Sequence, residues 1–160
     1  MRIGVVSDTH GSVAHTRPAI RMLESLEVEA ALHCGDIGSE EVIELFAPWP
    51  THFVFGNCDY DHAELRRAIE AAGQTCHGLF GEVELGGVRI ALLHSHERSR
   101  FEEAIASDRY GLVCYGHTHV ADQEQHGETL VLNPGALYRA NPPSIAVVEL
   151  LAVEATVVPL

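Results

Sequence analysis

Ile3-Gly4-Val5-Val6-Ser7-Asp8-Thr9-His10 is the stretch that decides the fold. Its apolar run has no polar alternation, the pattern of a strand buried on both faces in a parallel sheet. The run leads straight into a carboxylate and an imidazole two residues apart. In open α/β sheets, ligands bind at the carboxyl ends of strands. Asp8 and His10 therefore stand where both can reach one cation. An Asp-x-His pair at a strand end also describes a plain solvated loop. The weight comes from repetition of the pattern further along.

Downstream, Thr16-Arg17-Pro18 reads as a helix start with Pro18 in the first turn. Ile20, Leu23 and Leu26 carry that helix at helical spacing to about Glu27. Ala30-Ala31-Leu32 is a second buried strand and ends in His33-Cys34-Gly35-Asp36. Ser39 suits the N-cap of a helix bearing Val42, Ile43 and Leu45, stopped by Pro48 and Pro50. Phe53-Val54-Phe55 is a third strand, ending in Gly56-Asn57-Cys58-Asp59. Asp61 caps a helix that runs to Ala72 and stops at Gly73. This half reads β-α-β-α-β-α, a parallel sheet with right-handed crossovers.

The second half alternates more. Glu82 to Leu85, the Gly86-Gly87 turn and Val88 to Leu93 form a hairpin that runs into His94-Ser95-His96. A helix spans about Ser99 to Ala106. Leu112 to Tyr115 is another buried strand, ending in Gly116-His117-Thr118-His119. Strands are expected at about 120–125, 129–132, 144–150 and 153–158. No linker or repeat interrupts the chain, so residues 1–160 are read as one domain.

Composition narrows the partners. The 160 residues carry a net charge of −13 and contain no lysine. No basic stripe exists for stable nucleic acid binding, and an anionic membrane surface is equally unsuited. The four cysteines lie far apart with no Cys-x-x-Cys, which argues against structural zinc. No stretch approaches a membrane span, and no leader precedes Ile3. A cytoplasmic protein with reduced thiols is expected.

Five strand ends thus bring nitrogen or oxygen donors: Asp8 with His10, Asp36, Asn57, His94, and His117 with His119. Seven donors exceed one ion's needs, and two ions roughly 3.5–4 Å apart sharing a carboxylate is the economical arrangement. In this order, the motifs resemble those of the calcineurin-like metallophosphoesterases, most closely their small bacterial and archaeal phosphodiesterase branch. The resemblance covers residues 3 to about 136. It implies an α/β fold, a four-layer α/β/β/α sandwich of two mixed sheets with helices outside.

The resemblance further implies that Asp8, His10, Asp36 and His119 hold one ion. Asp36, Asn57, His94 and His117 hold the other. Imidazole-rich donor sets suit divalent transition ions, with Mn²⁺ favoured and Fe, Ni²⁺ or Zn²⁺ as alternatives. The implied activity is hydrolysis of small soluble phosphate esters, foremost diesters, by a water or hydroxide held between the ions. The alternative is a non-catalytic, metal-binding scaffold, as in the retromer subunit of this fold. A homodimer is a reasonable state for a small enzyme.

Several residues keep two readings. Asp59 and His96 are the candidate catalytic residues. Asp59 either orients a ligand or the group at 58, or closes a turn. His96 either contacts the phosphate or faces solvent. Ser95 stands where the family usually has glycine between the two histidines, which puts the backbone there in question. Cys58 replaces the family's frequent histidine, and metal proximity favours its ionised form, a poor general acid. His33 reads as a satisfied sheet histidine, and Asn133-Pro134-Gly135 resembles the family's turn beside the metals. The remaining histidines, His15, His52, His62, His77 and His126, read as surface. Tyr60, Arg98 and Arg100 lie in loops or segments able to touch a substrate.

Overall fold

The computed structural model describes all 160 residues, Met1–Leu160. β1 (Arg2–Val6) lies inside a six-stranded sheet, between β2 (Ala30–His33), parallel to it, and β10 (Ser144–Glu149), antiparallel to it. β3 (Thr51–Phe53) and β4 (Thr75–Cys76) extend the parallel side, and β11 (Glu154–Pro159) closes the other edge. The second sheet has the order β5-β6-β7-β9-β8. Its strands are β5 (Phe80–Leu85), β6 (Val88–Leu93), β7 (Leu112–Cys114), β8 (Asp122–His126) and β9 (Thr129–Asn133). β6, β7 and β9 run parallel, while the flanking β5 and β8 run antiparallel.

Side-chain alternation explains the layers. From β1, Ile3 and Val5 enter the core between the sheets, against Ile90, Leu92, Leu112 and Leu132. Val6 joins the opposite core, formed with Leu23 of α1 (Val13–Ser25), Ile43 of α2 (Glu40–Glu44) and Ile69 of α3 (His62–Ala71). Gly4 faces that side too, where a Cβ would come within 2.5 Å of Leu23 Cδ2. The outer face of the second sheet packs Val113 and Tyr115 with Ala104 of α4 (Arg98–Ala106). Helices, two mixed sheets and a last helix are thus the four expected layers.

Three boundaries differ from the sequence reading. α1 begins at Val13, three residues early, and the Thr16 hydroxyl donates back to the Ser12 carbonyl at 2.8 Å. Pro18 is therefore inside the helix rather than in its first turn. β3 pairs Thr51 to Phe53 with Ala31 to His33, so its ladder sits upstream of the Phe53–Phe55 run. Val54 and Phe55 remain bonded, their N–H groups donating to the carbonyls of His33 and Gly78 at 3.2 and 2.7 Å. β4 has only two residues and no apolar run to announce it.

Candidate metal centre

The loops after β1, β2, β3, β6 and β7 converge at one end of the two sheets. Asp8 and Asp36 supply two buried carboxylates there. Asp8 Oδ1 lies 3.1 Å from His119 Nε2, 3.7 Å from His10 Nε2 and 3.9 Å from His94 Nε2. Asp36 Oδ2 lies 3.3 Å from His94 Nε2 and 3.5 Å from His10 Nε2. Among these atoms, Asp8 Oδ1, His10 Nε2 and His94 Nε2 are buried without a hydrogen-bond partner. Orphaned buried polar atoms are costly, and several facing one another are the mark of a cation site.

The other oxygens are spoken for. Asp8 Oδ2 accepts from Ser7 Oγ at 2.5 Å and from the His117 N–H at 3.1 Å. Asp36 Oδ1 accepts from the Cys58 N–H at 2.8 Å. His94 Nδ1 bonds the Cys34 carbonyl at 2.8 Å, so it carries the proton and leaves Nε2 free to ligate. Burial opposes charge on His94, yet the Asp36 and Asp8 carboxylates outweigh it and raise its pKa. Burial opposes charge on Asp36 as well, and His94 holds that carboxyl well below the usual range. The carboxylates' field at His94 favours positive charge there, as a cation site requires. The donor set fits divalent metal.

Of the seven expected ligands, Asp8, His10, Asp36, His94 and His119 come together within these groups. The His117 ring is solvent-exposed and its nitrogens enter no such group, although its centroid is 5.2 Å from that of His94. Asn57 is exposed too, its amide nitrogen 3.5 Å from Cys58 Sγ. Cys58 itself joins His10 and Asp36 in a third donor group. Burial and the Asp36 carboxylate raise its thiol pKa, so the chain alone holds it protonated rather than ionised.

Backbone strain accompanies the ligands. Asp8, His10, Asp36, His117 and His119 all have φ between +46° and +79°. This left-handed conformation costs a non-glycine residue about 1 kcal/mol or more and persists only where the surroundings impose it. Asp59 is part of that imposition. Its carboxylate accepts from the N–H groups of Ile37, Gly38 and Gly56 at 3.1, 3.0 and 2.8 Å, tying the β2 and β3 loops together. The Gly56 bond closes the local turn of one reading, and the Ile37 and Gly38 bonds reach the loop that carries Asp36, as the other requires. Ser95 adopts φ +70°, as glycine would, and its Oγ donates to the Gly116 carbonyl at 3.0 Å. Asn133 Nδ2 donates to Thr118 Oγ1 at 3.0 Å and to that same carbonyl at 3.3 Å, which places the Asn-Pro-Gly turn beside the site.

Gly116 is needed for close approach. A Cβ there would collide with Ser7 Oγ and come within 2.9 Å of Asp8 Oδ2. Gly116→Ala should destabilise the fold by about 1–3 kcal/mol through overpacking. It should also weaken metal binding, because Asp8 is displaced. Urea unfolding and a metal titration read the two effects separately.

His33 is a satisfied sheet histidine. Gly35 N–H donates to its Nδ1 at 3.2 Å, and its Nε2 meets Thr9 Oγ1 at 2.9 Å. Burial and the neighbouring His94 push its pKa down to about 3. The unfolded chain protonates this ring near 6.5, while the folded chain resists until about 3. Its contribution is therefore full above 6.5 and is lost as pH falls toward 3. In metal-free protein, His33→Gln should abolish about 2 kcal/mol of the stability lost between pH 7 and 5. Urea midpoints at the two values test it.

Other histidines depart from a plain surface role. His52 Nδ1 and His77 Nε2 lie 2.9 Å apart in stacked, half-buried rings, and His62 stacks on Phe55. Arg98 and Arg100 are paired with Glu102 and Glu97, each at 2.7 Å, and Tyr60 is 88% exposed. Sequence reasoning missed Ser7 and Tyr138. The Tyr138 ring lies 5.8 Å from that of His10, and its N–H donates to the Asp8 carbonyl at 3.0 Å. No periodicity or motif signals either.

Comparisons with known proteins place the chain in a family. Residues 1–154 match the calcineurin-like phosphoesterase superfamily domain. The phosphodiesterase MJ0936 of Methanocaldococcus jannaschii is 32% identical over 154 residues, 93% of either chain. The phosphodiesterase YfcE of Escherichia coli strain K12 is 29% identical over 86% of this chain and 79% of its own. A solved structure described as a novel archaeal phosphodiesterase superposes with a TM-score of 0.92 at 31% identity, covering 100% of both chains. With its acids and imidazoles gathered at the strand ends of that same sandwich, the chain belongs to the calcineurin-like phosphoesterase family.

Proposed function

We propose that this protein is a dinuclear-metal phosphodiesterase acting on small soluble phosphate esters. One observation carries the reading: Asp8 Oδ1, His10 Nε2 and His94 Nε2 are buried, unpartnered and turned toward one another around Asp36. In this reading Asp8, His10, Asp36 and His119 hold one ion, and Asp36, Asn57, His94 and His117 the other. Mn²⁺ is the favoured pair. Bound divalent ions neutralise phosphoryl oxygens and lower the pKa of water to make a nucleophile.

The chain supplies the rest. Asp36 offers a carboxylate to both positions and offsets their repulsion. The Cys34 carbonyl fixes the His94 tautomer. His96 Nδ1, buried and unpartnered, stands ready to donate to a phosphoryl oxygen. The four cysteines are free, which fits the reducing cytoplasm, and no helix is long and apolar enough to cross a membrane.

Metal analysis of protein prepared without chelator should find up to two transition ions per chain. Hydrolysis of bis(p-nitrophenyl) phosphate should vanish with chelator and return with Mn²⁺. Metal-loaded protein that hydrolyses neither diesters nor monoesters would overturn the reading.

A further inference from the structure

A groove of about 580 Å³ leads away from the metal centre, from Ser95, His96 and His117, over the outer face of the second sheet. One wall is α4. The other is β8, where strand alternation turns Asp122, Glu124 and His126 to the same side. Phe101 and Tyr115 line it with ring centroids 4.6 Å apart, above an apolar floor that includes Ile105 and Val131.

Its charges are one-sided. Arg98, the one permanent cation in the groove, is paired with Glu102 at 2.7 Å, and His126 with Glu124 at 3.1 Å. Asp122 has no cationic partner, and its Oδ2 accepts from the Tyr115 hydroxyl at 3.3 Å. The opposite flank of the centre, beside Cys58, is acidic as well, with Glu40, Glu41, Asp61 and Glu64. Neither side holds an arginine free of a carboxylate partner. A bound metal pair drawing in one phosphate between two acidic flanks would favour a diester whose other charge is absent or positive.

Resting on the phosphodiesterase reading, we infer that the Phe101–Tyr115 groove seats one alcohol of the diester, and that this alcohol carries an alkylammonium group. Aromatic faces and nearby carboxylates are the chemistry that recognises such cations. The hydrocarbon around the charge packs on the apolar floor. A nucleic acid strand, with an anion at every step, is repelled from both flanks.

The test uses metal-loaded protein and three p-nitrophenyl diesters that differ only in the second alcohol. These are 2-(trimethylammonio)ethyl, its uncharged isostere 3,3-dimethylbutyl, and 2-carboxyethyl. At low salt, kcat/KM for the cationic ester should exceed that of the isostere by about fivefold or more, and the carboxylate ester should be the slowest. The double substitution Asp122→Asn with Glu124→Gln should bring the cation-to-isostere ratio to near one. A wild-type ratio near one, or a ratio that survives the double substitution, overturns the proposal. Methyl NMR during a titration with choline chloride gives a readout without turnover, since Ile105 and Val131 resonances should shift. If the diesters are inert but these methyls move, the phosphodiesterase reading fails and the cation site stands. If the methyls stay still, the cation site fails.

Discussion

Replacing Asp36 by alanine should cost at least about 10³-fold in diester hydrolysis, with a matching loss of bound metal. The size follows from what the side chain does. Metal-based charge stabilisation is worth several kcal/mol, and each 1.36 kcal/mol is about a factor of ten in rate. Asp36 Oδ2 faces both His10 Nε2 and His94 Nε2, closer than Asp8 Oδ1 does. Without it, Asp8 is the one carboxylate left facing the imidazoles, too little to hold a pair of ions together. The loss has to be separated from unfolding, because Asp36 Oδ1 also accepts from the Cys58 N–H. Asp36→Asn keeps the shape and an acceptor there while removing the charge. It should retain a cooperative urea transition and still lose metal. Metal binding to the wild type should release more protons as the pH falls, since the carboxylates that raise the His94 pKa are the ones a cation would engage. Calorimetry in buffers of different ionisation enthalpy reads that release. If Asp36→Asn keeps both its metal and its rate, the shared-carboxylate assignment is wrong.

What the sequence disclosed, it disclosed through position. Asp8, Asp36 and His94 each follow an apolar strand, and a parallel strand end is where a donor must sit to meet donors from neighbouring strands. That logic needs only spacing, so the parallel half of the first sheet and the convergence of Asp8, His10, Asp36, His94 and His119 were legible, while the four-layer sandwich followed from the family resemblance. The parts that were not legible depend on contacts across long separations. Asp59 reaches back 22 residues to the Ile37 N–H, and nothing in its local sequence distinguishes that role from closing a turn. The left-handed backbone at Asp8, Asp36 and His119 is imposed by packing and hydrogen bonds from other loops, against the intrinsic preference of those residues. Asn57 and His117 read as ligands by motif, yet their exposed side chains depend on loop geometry that spacing does not encode. β4 stayed hidden because two residues of parallel pairing carry no periodicity.

The rate should also fall steeply as the leaving group becomes a poorer one. A general acid contributes roughly 10²–10⁴-fold when its pKa lies near the working pH. Cys58 occupies the position where such an acid would stand, within the donor group of His10 and Asp36. The sequence alone suggested a thiol made useless by ionisation. In the structure burial and the Asp36 carboxylate raise the thiol pKa, farther from the working pH that suits a general acid. Either way, the departing oxygen must leave largely unassisted. Nitrophenyl esters, whose leaving groups need no proton, should react well, and alkyl esters should be slower by about the 10²–10⁴-fold that an acid would supply. A series of substituted phenyl diesters, plotted as log kcat/KM against leaving-group pKa, should slope steeply downward. Cys58→His should flatten the slope and speed the poorest esters most. A flat plot in the wild type would mean that another acid acts. His96, with an unpartnered Nδ1 and a pKa lowered by burial and by His94, is the residue to remove next. A steepened plot in His96→Ala would assign the proton to it.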